Sequence, residues 1–226
     1  MAANTSVTFR LDRAAGLLLD ARGRRYDCET GTWQPAGDDL PGPVESLDAV
    51  AAATWLQRES GFPRRAPVGV IGPRDATAPQ LAAAEAIGAG LAAMGFVVIC
   101  GGRGGVMEAV CKGAATAGGI TIGLLPEPDD SCANRYVRIA IATGIGEARN
   151  ALVARAALCL VAIGDSFGTL SEVALGRQFG KLVIGVEGAA QVDGVRHAPG
   201  PVEALQAVAQ FAVAGRERVV STTLTP

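Results

Sequence analysis

The chain has 226 residues, enough for one large domain or one domain with an appendage. It is 49% hydrophobic with 30 glycines, and its net charge of −2 comes without a long run of either sign, so it lacks the basic face of a nucleic-acid binder; at 4% aromatic it also lacks a stacking surface for single strands. Five cysteines without a CxxC pair and a single histidine, His197, leave no zinc spacing, no two-histidine metal site, and no Ser-His-Asp triad except one using His197 itself.

The first part of the chain carries no polar cluster. Residues 5–34 read as short strands of a small antiparallel ribbon: Val7, Phe9 and Leu11 alternate with polar positions, Leu17-Leu-Leu19 follows Gly16, and Gly23 and Gly31 mark turns. Residues 35–43 are rich in Pro and Gly and read as a linker. Residues 44–59 show helical spacing through Leu47, Val50, Trp55 and Arg58, with Gly61 and Pro63 ending the pattern. Residues 1–64 are therefore expected to form a β-ribbon and helix appendage, serving as a lid or an oligomerisation element.

Residues 65–226 alternate strand and helix. Strand runs are expected at 68–71, 96–100, 120–125, 138–142, 156–163 and 181–186, with helices at 80–94, 106–117, 146–155, 173–179 and 202–214. The strand runs are apolar on both faces, which is the mark of a parallel sheet covered on both sides. The expected fold is therefore a doubly wound α/β, Rossmann-like domain. Its ligand cleft belongs at the carboxyl ends of the strands finishing at Ile71, Cys100, Leu125 and Ile163. Cys100 and Cys159 fall inside strand runs, and all five cysteines read as reduced thiols of a cytoplasmic protein. No signal peptide is visible and no uninterrupted apolar run reaches about 18 residues, so no membrane partner is expected.

Two strand-to-helix turns are rich in glycine: Gly101-Gly-Arg-Gly-Gly105 and Gly164-Asp-Ser-Phe-Gly-Thr-Leu-Ser-Glu172. A helix N-terminus presents unpaired N–H groups to an anion, so the two turns suggest two walls of one phosphate-binding cleft. Arg74, in the turn Gly72-Pro-Arg-Asp75, and Arg103 carry charges suited to phosphate. Thr169-Leu-Ser-Glu172 has capping-box spacing, a reading that needs no ligand. No GKS or GKT follows a glycine turn, so a P-loop hydrolase is not expected.

Gly101-Gly-Arg-Gly-Gly-Val-Met-Glu108 and the Gly164–Glu172 stretch, together with Gly118-Gly119 and Gly146-Glu-Ala-Arg-Asn150, resemble the LOG-like (SLOG) Rossmann family, once labelled lysine decarboxylase-like. The family includes phosphoribohydrolases that free a cytokinin base from its nucleoside monophosphate, molybdenum-cofactor carrier proteins and DprA-related members; the chain looks most like the last two. The resemblance implies a phosphorylated, nucleotide-like ligand, with the molybdenum cofactor or a nucleotide as candidates and no metal held by the protein itself. The candidate ligand set is Gly72, Arg74, Gly101, Gly102, Arg103, Gly104, Gly105, Asn150, Gly164, Asp165, Ser166, Gly168 and Thr169, and the resemblance implies Arg149 and Glu172 beside the ribose and phosphate. It also implies a homodimer or homotetramer. Against the PGGxGTxxE pattern of the hydrolases, Gly168, Thr169 and Glu172 match, while Gly164, Asp165 and Ser166 stand for proline and the two glycines. Asp165 places a carboxylate where a phosphate would approach, which favours binding over N-glycosidic hydrolysis; lysine decarboxylation is not expected.

Overall fold

The computed structural model describes residues 8–35 and 42–215. Val7 and most of the linker at 35–43 lie outside the described residues. The N-terminal part forms a five-stranded antiparallel sheet: β1 (Phe9–Asp12), β2 (Leu17–Leu19), β3 (Arg25–Asp27), β4 (Thr32–Gln34) and β5 (Glu45–Leu47), in the order β4-β3-β2-β1-β5. Its buried side chains Phe9, Leu11, Leu18 and Tyr26 join the larger of the two cores.

β5 corrects the expected helix over 44–59. Glu45–Leu47 pairs antiparallel with β1, and helix α1 runs over Ala49–Arg58. Asp48 decides the boundary: its carboxylate accepts from the Ala51 N–H at 2.8 Å, which makes it the N-cap.

The second sheet has seven strands, all parallel: β6 (Val68–Ile71), β7 (Val98–Cys100), β8 (Thr121–Leu125), β9 (Ile139–Ala142), β10 (Leu160–Ile163), β11 (Val183–Val186) and β12 (Arg196–His197). Their order is β12-β11-β10-β6-β7-β8-β9. The helices are α2 (Ala78–Met94), α3 (Val106–Thr116), α4 (Asn150–Ala156), α5 (Phe167–Gln178) and α6 (Pro201–Val213). One core holds side chains of α1, α2, α3 and α6; the other, on the opposite face, holds those of α4 and α5. The doubly wound parallel architecture is as the apolar strand runs indicated. β6, β10 and β11 are buried at every position, whereas all four residues of the edge strand β9 are exposed.

Local chemistry sets several boundaries. Thr77 and Gln80 close a capping box at the start of α2, and Gly95 ends it in the left-handed region. The helix expected over 146–155 is a 3-10 turn, Gly146–Arg149, running into α4, which takes Ala156 from the expected strand. The loop at 187–200 holds the two-residue strand β12, whose His197 is exposed.

The chain travels outward from β6 to β9 and then returns to lay β10 on the other side of β6. That reversal creates a crevice outside the carboxyl ends of β6 and β10. Gly72 and Gly164 follow those two strands immediately.

Candidate functional site

A cleft of about 600 Å³ opens at this reversal, within the size range of a small-molecule site. Of the residues singled out in the sequence, Gly72, Arg74, Arg103, Arg149, Asn150, Asp165, Ser166, Gly168, Thr169 and Glu172 line it. Three segments thus converge: the turn after β6, the turn after β7, and the β10–α5 turn with the 3-10 turn beside it.

Gly101, Gly102, Gly104, Gly105 and Gly164 do not line the cleft; the contacts of four of them show them shaping it. A Cβ on Gly101 would lie 2.6 Å from Arg149 Nη2. The Gly102 N–H points back at Cys100 Sγ, 3.3 Å away, and its carbonyl accepts from the Asn134 N–H and side-chain amide at 2.8 and 3.0 Å. Gly105, at φ 69°, fits beneath the Pro73 and Arg74 carbonyls, where a Cβ would come within 2.2 Å of Arg74 O. This glycine lets the turns after β6 and β7 touch. Gly164 gives its N–H to Val186 O at 3.1 Å.

Helix α5 begins earlier than its apolar pattern suggests. Ser166 is the N-cap: its hydroxyl accepts from the Thr169 N–H at 3.1 Å and lies 2.8 Å from Thr169 Oγ1. The capping-box spacing of Thr169 and Glu172 therefore does not describe the helix start. Phe167 and Gly168 are the first two helical residues, whose N–H groups have no acceptor within an α-helix. Glu172 sits a turn and a half in, with 6% of its surface exposed.

Arg149 and Glu172 form the polar floor. Arg149 is 4% exposed, and its Nη1 lies 3.5 Å from Glu172 Oε1 and donates to Asn150 Oδ1. Asn150 is fixed in turn by donating to Ser171 Oγ at 3.0 Å. Arg149 Nε is buried and has no hydrogen-bond partner. Burial pushes the Glu172 carboxyl up to about 8, against the pull of the Arg149 guanidinium and with a small push from Glu147. Near neutral pH the floor is thus a cation beside a largely protonated acid, a setting that receives an anion without carboxylate repulsion.

Arg103 reaches the cleft from the β7–α3 turn. It pairs with Glu127, and with Glu147 Oε1 at 3.2 Å. The Asp165 side chain is exposed at the rim. Pro73, Asp75, Met107, Glu147, Phe167 and Ser171 complete the lining and were not singled out from sequence. Glu147, Phe167 and Ser171 lie inside the quoted motifs and Pro73 and Asp75 inside the quoted Gly72–Asp75 turn, so membership of those stretches was the signal available. Among the described residues no cluster of three His, Cys, Asp or Glu side chains could hold a metal, and no helix is long and apolar enough to cross a membrane. The five cysteines are free.

Several known proteins are similar to this chain. An uncharacterised protein of Archaeoglobus fulgidus is 37% identical over 138 residues, which are 61% of this chain and 91% of that protein. The molybdenum cofactor binding protein of the phototrophic bacterium Rippkaea orientalis superposes with a TM-score of 0.61 at 35% identity, covering 64% of this chain and 96% of that one. The molybdenum cofactor carrier protein of Chlamydomonas reinhardtii gives a TM-score of 0.61 at 35% identity, covering 66% and 98%. The model of the SLOG cluster4 family matches residues 65–213, and the chain belongs to that family.

Proposed function

We propose that the cleft binds a phosphorylated, nucleotide-like cofactor, with a pterin phosphate such as the molybdenum cofactor as the leading candidate, and that the protein stores or carries it. The observation that carries this reading is the buried Arg149 with its unpartnered Nε. A buried donor without an acceptor is costly, and a ligand oxygen would relieve it. The N-terminus of α5 offers the Phe167 and Gly168 N–H groups to the same anion. Likeness to two proteins named for the molybdenum cofactor supports the choice of ligand. The residues present suit the phosphate end of such a cofactor.

Calorimetric titration with a pterin phosphate and with AMP tests this directly. The wild-type protein is expected to bind at least one, and Arg149→Ala to weaken that binding by roughly tenfold to a hundredfold, the worth of a charge-assisted hydrogen bond. No heat and no thermal stabilisation from either ligand would remove the reading.

One observation favours a second reading. Glu172, held protonated near neutral pH, is an acid at the cleft floor, as release of a base from a nucleoside monophosphate requires. Free base appearing in the AMP incubation, and lost in Glu172→Gln, would establish hydrolysis instead.

We also propose a homodimer or homotetramer. Leu152 on α4 and Phe167 and Leu170 on α5 are exposed apolar side chains on two helices packed together, and Phe167 is 95% exposed. Sedimentation velocity at micromolar concentration should show a species of at least twice the monomer mass; a monomer alone overturns this.

A further inference from the structure

Glu147 stands in the 3-10 turn two residues before Arg149 and lines the cleft. Its carboxylate reaches two arginines from different walls. Oε1 is 3.2 Å from Arg103 Nη1, on the β7–α3 turn, and Oε2 is 4.0 Å from Arg149 Nη2, on the floor. Neither contact buries Glu147: its side chain is 65% exposed, against 19% for Arg103 and 5% for Arg149. The geometry is therefore lopsided, with two sheltered cations joined by one solvated anion.

We propose that Glu147 is a resident anion that holds the place of the ligand's charged group between Arg103 and Arg149, and that an incoming ligand must displace it. The proposal rests on the reading of the cleft as a site for a phosphorylated ligand, and it adds a displacement step that every anion entering the site must take. An exposed ion pair contributes little, so moving Glu147 aside is cheap. The exchange still has a sign. A ligand with one negative charge replaces one carboxylate by another anion of equal charge and gains no net Coulomb attraction. A phosphate monoester, dianionic near neutral pH because its second pKa is about 6, brings one charge more than it displaces. Glu127, the other partner of Arg103, does not contact Arg149 and stays in place to anchor the Arg103 side chain. Displacing Glu147 costs the same for every ligand, so it lowers all affinities by a common factor; a monoanion is left with little net gain, while a phosphate monoester keeps enough attraction from the two arginines to bind.

The test compares methyl phosphate, a dianion near neutral pH, with dimethyl phosphate, a monoanion, by chemical-shift titration at pH 7. The proteins are wild type, Glu147→Gln and Glu85→Gln. Glu85 pairs with Lys112 outside the cleft lining, so its variant removes the same charge without touching the site. Wild type should prefer methyl phosphate. In Glu147→Gln both probes should bind more tightly by a similar factor of about five- to tenfold, as expected for release of two weak ion pairs, with the preference for methyl phosphate kept. Glu147→Ala should change in the same direction, and Glu85→Gln should match wild type. Weaker or unchanged binding of dimethyl phosphate to Glu147→Gln, with methyl phosphate still binding wild type, overturns the resident anion and leaves the phosphate site standing. An equal gain in Glu85→Gln also overturns it, because net charge would then be the cause. No binding of either probe to any of the proteins overturns both.

Discussion

Glu172→Gln is expected to be close to neutral for stability at pH 5 and strongly stabilising at pH 9. The folded Glu172 carboxyl holds its proton to about 8, while in the unfolded chain it ionises near the ordinary 4.5. Between those values unfolding releases a proton, so the contribution of this group to stability falls as pH rises and is largely lost above 8. The folded-state pKa is raised by burial, so this carboxyl favours the native state at low pH, opposite to a carboxylate whose pKa a salt bridge has lowered. Glutamine has the shape of the protonated acid and cannot ionise. The difference between wild type and variant should therefore grow to roughly 4 kcal/mol between pH 5 and pH 9. Urea unfolding of both proteins at pH 5, 7 and 9 measures it, and groups titrating elsewhere cancel in the subtraction. Parallel pH profiles would mean that Glu172 is solvated in the folded protein.

Gly113→Ala is expected to destabilise by about 3 kcal/mol or more, the upper part of the range for forcing extra volume into a packed core. A Cβ at Gly113 would lie 2.0 Å from Glu85 O, and one at Gly88 would lie 2.1 Å from Val110 O. α2 and α3 therefore meet backbone to backbone through reciprocal glycines, and neither carbonyl can move without opening its own helix. Helix propensity pulls the other way, since alanine is favoured over glycine by about 1 kcal/mol in a helix interior. A net gain of that size in denaturant unfolding would show that the helices do not touch there. Because α3 begins at the Gly105 turn, the same variant should also loosen the wall that carries Arg103.

The parallel sheet was legible in the sequence because its strands are buried on both faces. Val68-Gly-Val-Ile71, Leu160-Val-Ala-Ile163 and Val183-Ile-Gly-Val186 admit no polar residue, and between them α2 and α5 begin at side-chain caps. The misplaced boundaries share a cause. Glu45–Leu47 is a strand only because β1 offers an edge, and two-residue β12 exists only because β11 is adjacent. Phe167 begins a helix although, at 95% exposed, it contributes nothing to an apolar stripe. In the site, Arg149 and Glu172 were singled out by the family resemblance, and both line the cleft. Their state was not, since the protonation of Glu172 follows from burial, which is a tertiary property. Likewise the reach of Glu147 to Arg103 depends on two turns brought together across 44 residues of chain.

The antiparallel sheet is tied to the far end of the chain. Trp33 donates its indole N–H to Val213 O, and Arg64 donates to Ala212 O, bonds that span 180 and 148 residues. These carbonyls belong to the last turn of α6, where a helix has no acceptor role of its own left to fill. On the ribosome the strands of this sheet are made well before α6. The hydrogen bonds that close Trp33 and Arg64 onto α6 must therefore wait until that helix has been synthesised. The antiparallel sheet acts as a clasp that fastens only once α6 is in place.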